Sequence, residues 1–232
     1  MTSAGFINMI FRSSIFPVVI GFLMLTCSCS DRDEKKEIEN VWNEYVIALV
    51  ADDHKYIAEL SDQESINYYE QLAHKIRFAD SASLKNDLYL IEQAIVLLVR
   101  ATLPRDSIMH LSGADLLQIA IATNDQPERG MSHNVISNIV VKGKEAKALA
   151  TVDSVKKLNL PLEFVKEDDK WKIRLYRLTV HVYPYLDEAM REQIALSGED
   201  ENRYLFELVQ AIRPIKMNNS LWQPLMRSSY SY

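Results

Sequence analysis

The side chains with catalytic or metal-binding potential are spread thinly along this chain. Its five histidines lie far apart, with no H-x-x-x-H spacing and no cysteine beyond residue 30, so they predict no metal site. They are His54, His74, His110, His133 and His181. Two pairs of adjacent carboxylates, Asp52-Asp53 and Asp168-Asp169, are typical of solvated turns and predict no acid/base dyad. There is no G-x-S-x-G elbow, P-loop or G-x-G-x-x-G motif, so we predict no nucleotide chemistry and no cofactor.

The two cysteines, Cys27 and Cys29, are placed for a different chemistry. A nearly unbroken apolar run of about eleven residues, Ile15 to Leu25, follows Arg12 and precedes them. This is the layout of a secretory signal, and the run is shorter than the roughly 20 residues of a membrane-spanning helix. A Cys directly after such a run resembles the lipobox of bacterial lipoproteins. The resemblance implies a signal peptide over residues 1–28 and a palmitate-type lipid on Cys29, with Cys27 as the second candidate. The alternative is an ordinary secretory signal or a short membrane anchor, with neither Cys lipidated.

The next segment, residues 29–36, is strongly charged and has no apolar face. We predict a short solvated tether. A serine followed by acids after a lipidated Cys resembles the surface-export signal of lipoproteins in Bacteroidota-type bacteria, and a charged linker into a helix is the alternative. The expected location is the cell envelope, lipid-anchored in the outer membrane and facing the periplasm or the surface.

Composition sets further bounds. At 232 residues and 48% hydrophobic, the chain can bury a sizeable core, and one domain with an extension is expected. The net charge is -6 with acidic and basic residues intermixed, so no nucleic-acid partner is expected.

The segment from Asn134 to Leu178 predicts three or four antiparallel strands. Apolar residues alternate along residues 158–164 and again along 171–175, on either side of the charged turn 166–170. Folding the two runs together about that turn pairs Phe164 with Trp171, Leu162 with Ile173 and Leu160 with Leu175. Earlier in the segment, Lys142-Gly143-Lys144 predicts a turn between two strands. Pro161 predicts an edge or a bulge, because proline cannot donate to a strand ladder.

The rest of the chain has helical periodicity. We predict a first helix from Glu37 and a second opened by the capping box Ser61 to Glu64. Ser83 is the predicted cap of a third helix. Its stretch from Leu88 to Val99 is nearly all apolar, so we predict that this helix is the most buried one. The alternative is that the stretch forms a surface for a partner or for lipid. Pro104 marks its end, and Ser112 to Asp115 predicts the cap of a fourth helix. Two further helices are expected around residues 185–194 and 204–212. The tail after Asn218 is expected either to be loose or to dock on the core through Leu221, Trp222, Leu225 and Met226.

Helices carrying Tyr68-Tyr69, then strands with a Gly turn, an alanine-alternating strand and the run Lys166 to Ile173, resemble the nuclear transport factor 2-like superfamily. The resemblance implies an α+β fold with N-terminal helices packed on a curved antiparallel sheet, about 134–178. It implies such a domain over residues 37–178, with a C-terminal helical extension and tail over 179–232. A helical domain with an appended small sheet is the alternative.

Some members of that superfamily are enzymes, such as ketosteroid isomerase and scytalone dehydratase, and place an Asp, His or Tyr inside the cone. The residues of this type on or near predicted apolar faces are Tyr45, Tyr69, His74 and His181. They are the candidate cavity residues, although no spacing aligns them into a catalytic site. We therefore expect a non-catalytic envelope lipoprotein that binds a small apolar ligand or an envelope protein partner. The alternative is a small-molecule isomerase, dehydratase or hydrolase.

Lipidation is directly testable. If Cys29 or Cys27 carries acyl chains, radiolabelled palmitate should be incorporated into the protein and should be lost when both cysteines are replaced by serine. Label that persists in the double variant, or a mature N-terminus elsewhere by mass spectrometry, would contradict this prediction.

Overall fold

The computed structural model describes residues 16–122, 135–152 and 158–226. Within these ranges the chain forms seven helices, then four strands, then two further helices and a short 3-10 helix. The helices before the sheet are α1 (Phe16–Val50), α2 (His54–Leu60), α3 (Gln63–Phe78), α4 (Ser81–Asp87), α5 (Leu90–Thr102), α6 (Arg105–Met109) and α7 (Gly113–Ala122). The strands are β1 (Val135–Lys142), β2 (Glu145–Val152), β3 (Leu158–Glu167) and β4 (Lys170–Ile173). After them come α8 (Leu175–Ser197), α9 (Glu201–Ile212) and the 3-10 helix Asn219–Trp222.

The fold is α+β, as the sequence predicts. The sheet is open and antiparallel, with strands in chain order β1-β2-β3-β4, and helices lie before and after it in the chain. One hydrophobic core joins all three parts, since it contains Ile38 of α1, Phe164 of β3 and Leu205 of α9. Leu205, Val209 and Trp222 bring the C-terminal helical extension into the same packed core as the sheet.

The hairpin β3–β4 has the predicted faces but not the predicted register. Phe164 pairs with Ile173, and Trp171 pairs with Lys166, two residues away from the expected pairing. The reason is the turn, which uses only Asp168 and Asp169, both at positive φ (47° and 60°). Two such residues make the tight type I′ turn that matches the twist of a hairpin. A shift of two residues keeps each side chain on its face, so Leu162, Phe164, Trp171 and Ile173 are all buried as expected.

The sheet also ends earlier than expected. We placed its last strand up to Leu178, but α8 begins at Leu175, directly after β4. The alternating run from Trp171 to Leu175 hides this change, because Leu175 fits both the end of a strand and the first buried position of a helix. Pro161 pairs opposite Leu149 on β2, beyond the part of β3 that β4 covers, which agrees with the predicted edge position.

Helix α1 is continuous through the segment that we expected to be a tether. Glu34, in that segment, forms an ion pair with Lys166 at 3.4 Å. Further along, Ile38, Trp42, Tyr45 and Leu49 are buried, which confirms the predicted apolar stripe. None of the helices in the described ranges is long and apolar enough to span a membrane.

Aspartates cap four of the helices after α1, namely α2, α3, α4 and α9, and two of them replace the predicted serine caps. Asp62, not Ser61, caps α3 by accepting from the Ser65 backbone N–H at 2.9 Å. Asp80 caps α4, so Ser83 lies inside a helix rather than in front of one. Asp53 caps α2, a short helix that the sequence analysis missed together with α6. The capping box at Ser112 is confirmed, because Ser112 and Asp115 each accept from the other's backbone N–H.

The most buried helix is α5, as predicted, with Leu90 and every residue from Glu92 to Arg100 inside. Helix α9 and the tail pack beside it. Trp222 is buried, and the backbone N–H groups of Leu225 and Met226 both donate to the Arg77 carbonyl. Of the two interpretations of the tail, docking is therefore correct up to residue 226.

The packing of the β3–β4 hairpin on the core can be tested by replacing Trp171. Its side chain is only 3% exposed, so Trp171→Ala should lower the free energy of unfolding by about 3–5 kcal/mol in urea melts. The control is Lys170→Ala, one position earlier and exposed, which should change stability by less than about 0.5 kcal/mol. Small and equal effects at both positions would mean that this face of β4 is not part of the core.

Candidate functional site

A cavity of about 360 Å³ lies between α1, α3, α7, β3 and α8. Most of its lining is aliphatic, with three tyrosines among the rest. The lining residues are Tyr45, Leu49, Asp52, His54, Tyr69, Leu117, Ala120, Ile121, Ala122, Leu160, Leu175, Leu178, Thr179, Val182, Tyr183 and Leu186. Asp52 and Leu186 are exposed and mark its mouth.

Helix α8 supplies one wall because of its spacing. Leu175, Leu178, Thr179, Val182, Tyr183 and Leu186 recur every three or four residues, so they share one face of the helix. Helix α7 supplies another wall and sits unusually close to α3. A Cβ atom on Gly113 would lie only 2.3 Å from the Ile66 carbonyl oxygen, so glycine allows this approach.

A cluster of tyrosines and one carboxylate lies at the cavity and behind it. Tyr69 and Tyr183 line the cavity and lie close enough for each to affect the pKa of the other. The neighbouring Tyr68 packs edge to face on Tyr69, with ring centroids 5.1 Å apart, and its hydroxyl donates to Glu92. The other Glu92 oxygen accepts from the Tyr89 backbone N–H at 2.8 Å. Both carboxylate oxygens of Glu92 are thus engaged by the protein.

The third tyrosine, Tyr45, is buried with its ring stacked on Trp42 at 5.3 Å. Within the described part of the chain, no side chain or backbone group hydrogen-bonds to its hydroxyl. Burial raises the pKa of Tyr45 to about 12. Its phenol is therefore neutral at any physiological pH and keeps a proton to donate.

Burial also shapes the ionisation of the rest of the cluster. It raises the pKa of Tyr69 well above its ordinary value, and the Tyr183 hydroxyl raises it further. Burial raises the pKa of Tyr183 as well, and Tyr68 adds to this rise while Tyr69 opposes it. Burial likewise raises the pKa of Glu92, against the hydrogen bonds from Tyr68 and Tyr89.

These groups favour hydrogen bonding over proton abstraction. Phenols with raised pKa stay protonated and cannot act as bases near neutral pH. In the described lining, the ionisable side chains other than tyrosine are Asp52 and His54, 3.9 Å apart at the mouth. Among the described residues, no group of three or more His, Cys, Asp or Glu side chains could hold a metal ion.

The structure brings together only part of the predicted site. Tyr45 and Tyr69 line the cavity, as proposed. His74 and His181 do not, and this part of the prediction is wrong. Both are exposed; His74 lies against Phe78 on the outer face of α3, with ring centroids 4.7 Å apart. Cys27 and Cys29 fall within α1, but their side chains are outside the described part of the structure.

Sequence reasoning missed Tyr183, His54 and Asp52 as lining residues. Tyr183 had a detectable signal, because it continues the three- and four-residue spacing of Leu175, Thr179 and Val182. Interpreting residues 171–178 as strand hid that spacing, and Pro184 is a residue that normally interrupts a helix. Asp52 and His54 had no such signal, since only the turn between α1 and α2 brings them to the mouth.

Comparison with protein-family models, with curated proteins and with solved structures found no match to this chain. Membership of the nuclear transport factor 2-like superfamily therefore stays a prediction. The cavity and the sequence features at the N-terminus are the observations that bear on function.

Glu92 should give stability a specific pH dependence. Because its pKa is raised in the folded state, the folded protein binds a proton more readily than the unfolded chain. The contribution of Glu92 to the free energy of unfolding is therefore largest at low pH. It is lost as the pH rises above the ordinary glutamate pKa of 4.5 and through the raised pKa of the folded state. Glu92→Gln removes this titration, so the variant should gain stability relative to the wild type as pH rises through that window. The measurement is the free energy of unfolding at a series of pH values.

The matched control is Glu59→Gln, an exposed glutamate on α2. Its difference from the wild type should stay nearly constant over the same pH range. A pH-independent difference for Glu92→Gln would show that the buried carboxyl has an ordinary pKa.

Proposed function

We propose that this chain is a cell-envelope lipoprotein whose folded domain binds a small, mainly apolar molecule in the cavity between α1, α7 and α8. The observation that supports binding is the lining itself, which combines a mainly aliphatic surface with a few hydroxyl groups. Small-molecule sites typically have this composition and a volume of roughly 300–1,000 Å³. The apolar run before Cys27 and Cys29 supports the anchored location.

Binding is favoured over catalysis because of the chemistry at the inner end. The groups there are protonated phenols, which can orient a ligand but cannot take a proton from it. In the described lining, the side chains that could serve as the base of an isomerase, dehydratase or hydrolase are His54 and Asp52, and both lie at the mouth.

A protein partner is less well supported than a small ligand. Helix α9 and the 3-10 segment use Leu205, Val209 and Trp222 to complete the core. The apolar stretch of α5 is buried as well. These two apolar surfaces are therefore satisfied within the chain.

The test is to fill the cavity and measure binding of a neutral apolar probe, N-phenyl-1-naphthylamine, by fluorescence. The full chain in phospholipid nanodiscs should bind it saturably above the signal of empty nanodiscs. Leu178→Trp places a larger ring in the lining, so the probe should bind at least about tenfold more weakly, which is about 1.4 kcal/mol.

The matched control is Leu196→Trp, the same substitution on the same helix at a side chain that is 82% exposed. Its binding should equal that of the wild type, and thermal melts should show that both variants fold. Equal binding by the two variants, or no saturable binding by the wild type, would refute the proposed function.

A further inference from the structure

The cavity lining includes a hydrogen-bond donor that the described part of the protein does not use. Tyr45 is 8% exposed, lines the cavity and has no hydrogen-bond partner within the described residues. A ligand that places an acceptor at this hydroxyl gains a hydrogen bond that the protein leaves unmade.

The charges around the Tyr45 hydroxyl decide whether an anionic, cationic or uncharged ligand fits the cavity. The described lining contains no Lys or Arg, and the nearest buried carboxyl, Glu92, lies directly behind Tyr68. An anionic ligand would be desolvated beside this acid with no cation to balance it. A cationic ligand would find no free carboxylate at the inner end, because both Glu92 oxygens are already engaged.

We propose that the ligand is an uncharged, mainly apolar molecule with one hydrogen-bond acceptor, such as a ketone or ester carbonyl, and that Tyr45 donates to this acceptor. This inference rests on the proposed function and adds the chemical class of the ligand. It predicts that the cavity distinguishes molecules of equal shape by a single oxygen atom.

The experiment uses four naphthalene probes of similar size that displace N-phenyl-1-naphthylamine from the full chain in nanodiscs. They are 2-acetylnaphthalene, a ketone; 2-isopropenylnaphthalene, its hydrocarbon counterpart; 2-naphthoate, an anion; and 2-naphthylmethylamine, a cation. The quantity of interest is the preference for the ketone over the hydrocarbon, compared between variants, because partition into the lipid then cancels.

Tyr45→Phe should lower that preference roughly three- to tenfold, the value of one hydrogen bond, while leaving hydrocarbon binding unchanged. The control is Tyr204→Phe on α9, whose hydroxyl donates to Gln193 outside the cavity and whose loss should change nothing.

Each other outcome has a definite meaning. If all four probes displace the dye and the ketone preference is the same in every variant, the inference is wrong and the proposed function stands. Tightest binding by the anion or the cation also overturns the inference alone. If no probe displaces the dye, or the dye itself does not bind, the proposed function fails together with the inference.

Discussion

One buried cation joins helices α3 and α5 to the C-terminal segment of the chain. The Arg100 guanidinium on α5 donates to the carbonyl oxygens of Lys75, Ile76 and Ala79 at 2.8 to 3.1 Å, and to that of Leu221 at 2.8 Å. Among the described residues it has no carboxylate partner, and burial lowers its pKa to about 10, so it stays charged at neutral pH. The first three carbonyls form the C-terminal end of α3, where the helix dipole favours a positive charge. A planar guanidinium can satisfy all four acceptors at once, which an ammonium group cannot do in the same geometry.

The opposite end of α5 is held by negative charge, and this end controls the cavity wall. The Leu90 backbone N–H donates to Asp187 of α8 at 2.8 Å, while the Tyr89 N–H donates to Glu92. Anionic groups at a helix N-terminus compensate its unpaired N–H groups and its dipole. Because Asp187 lies on α8, next to the lining residue Leu186, the same contact fixes α8 against the core. The positions of Tyr69 on α3 and Tyr183 on α8 thus both depend on how α5 is bound at its two ends.

Local features of this structure can be predicted from the sequence, whereas most of its long-range contacts cannot. Apolar spacing located the stripe on α1 and the burial of α5, because each is a property of one helix. The hairpin faces were predictable, since they repeat every second residue. Its register was not, because it depends on two aspartates that adopt positive φ where glycine or asparagine is the usual signal. Half of the candidate site followed from apolar faces, namely Tyr45 and Tyr69. The lining residues on α8 could not be predicted, because the start of this helix at Leu175 was not recognised. The four carbonyl groups around Arg100 could not be predicted either, because they belong to the backbone and come from separate parts of the chain.

The packing of α1 has a consequence for the order in which the protein is made. Its buried stripe rests on β1 and β4, which are synthesised much later. At about 5–20 residues per second, the roughly 120 residues that separate the end of α1 from the end of β4 take on the order of 10 s to emerge from a ribosome. Throughout that time Ile38, Trp42 and Leu49 lack the strands that cover them. The nascent chain therefore carries an apolar helix that lacks its contacts with the sheet until the last strand is complete.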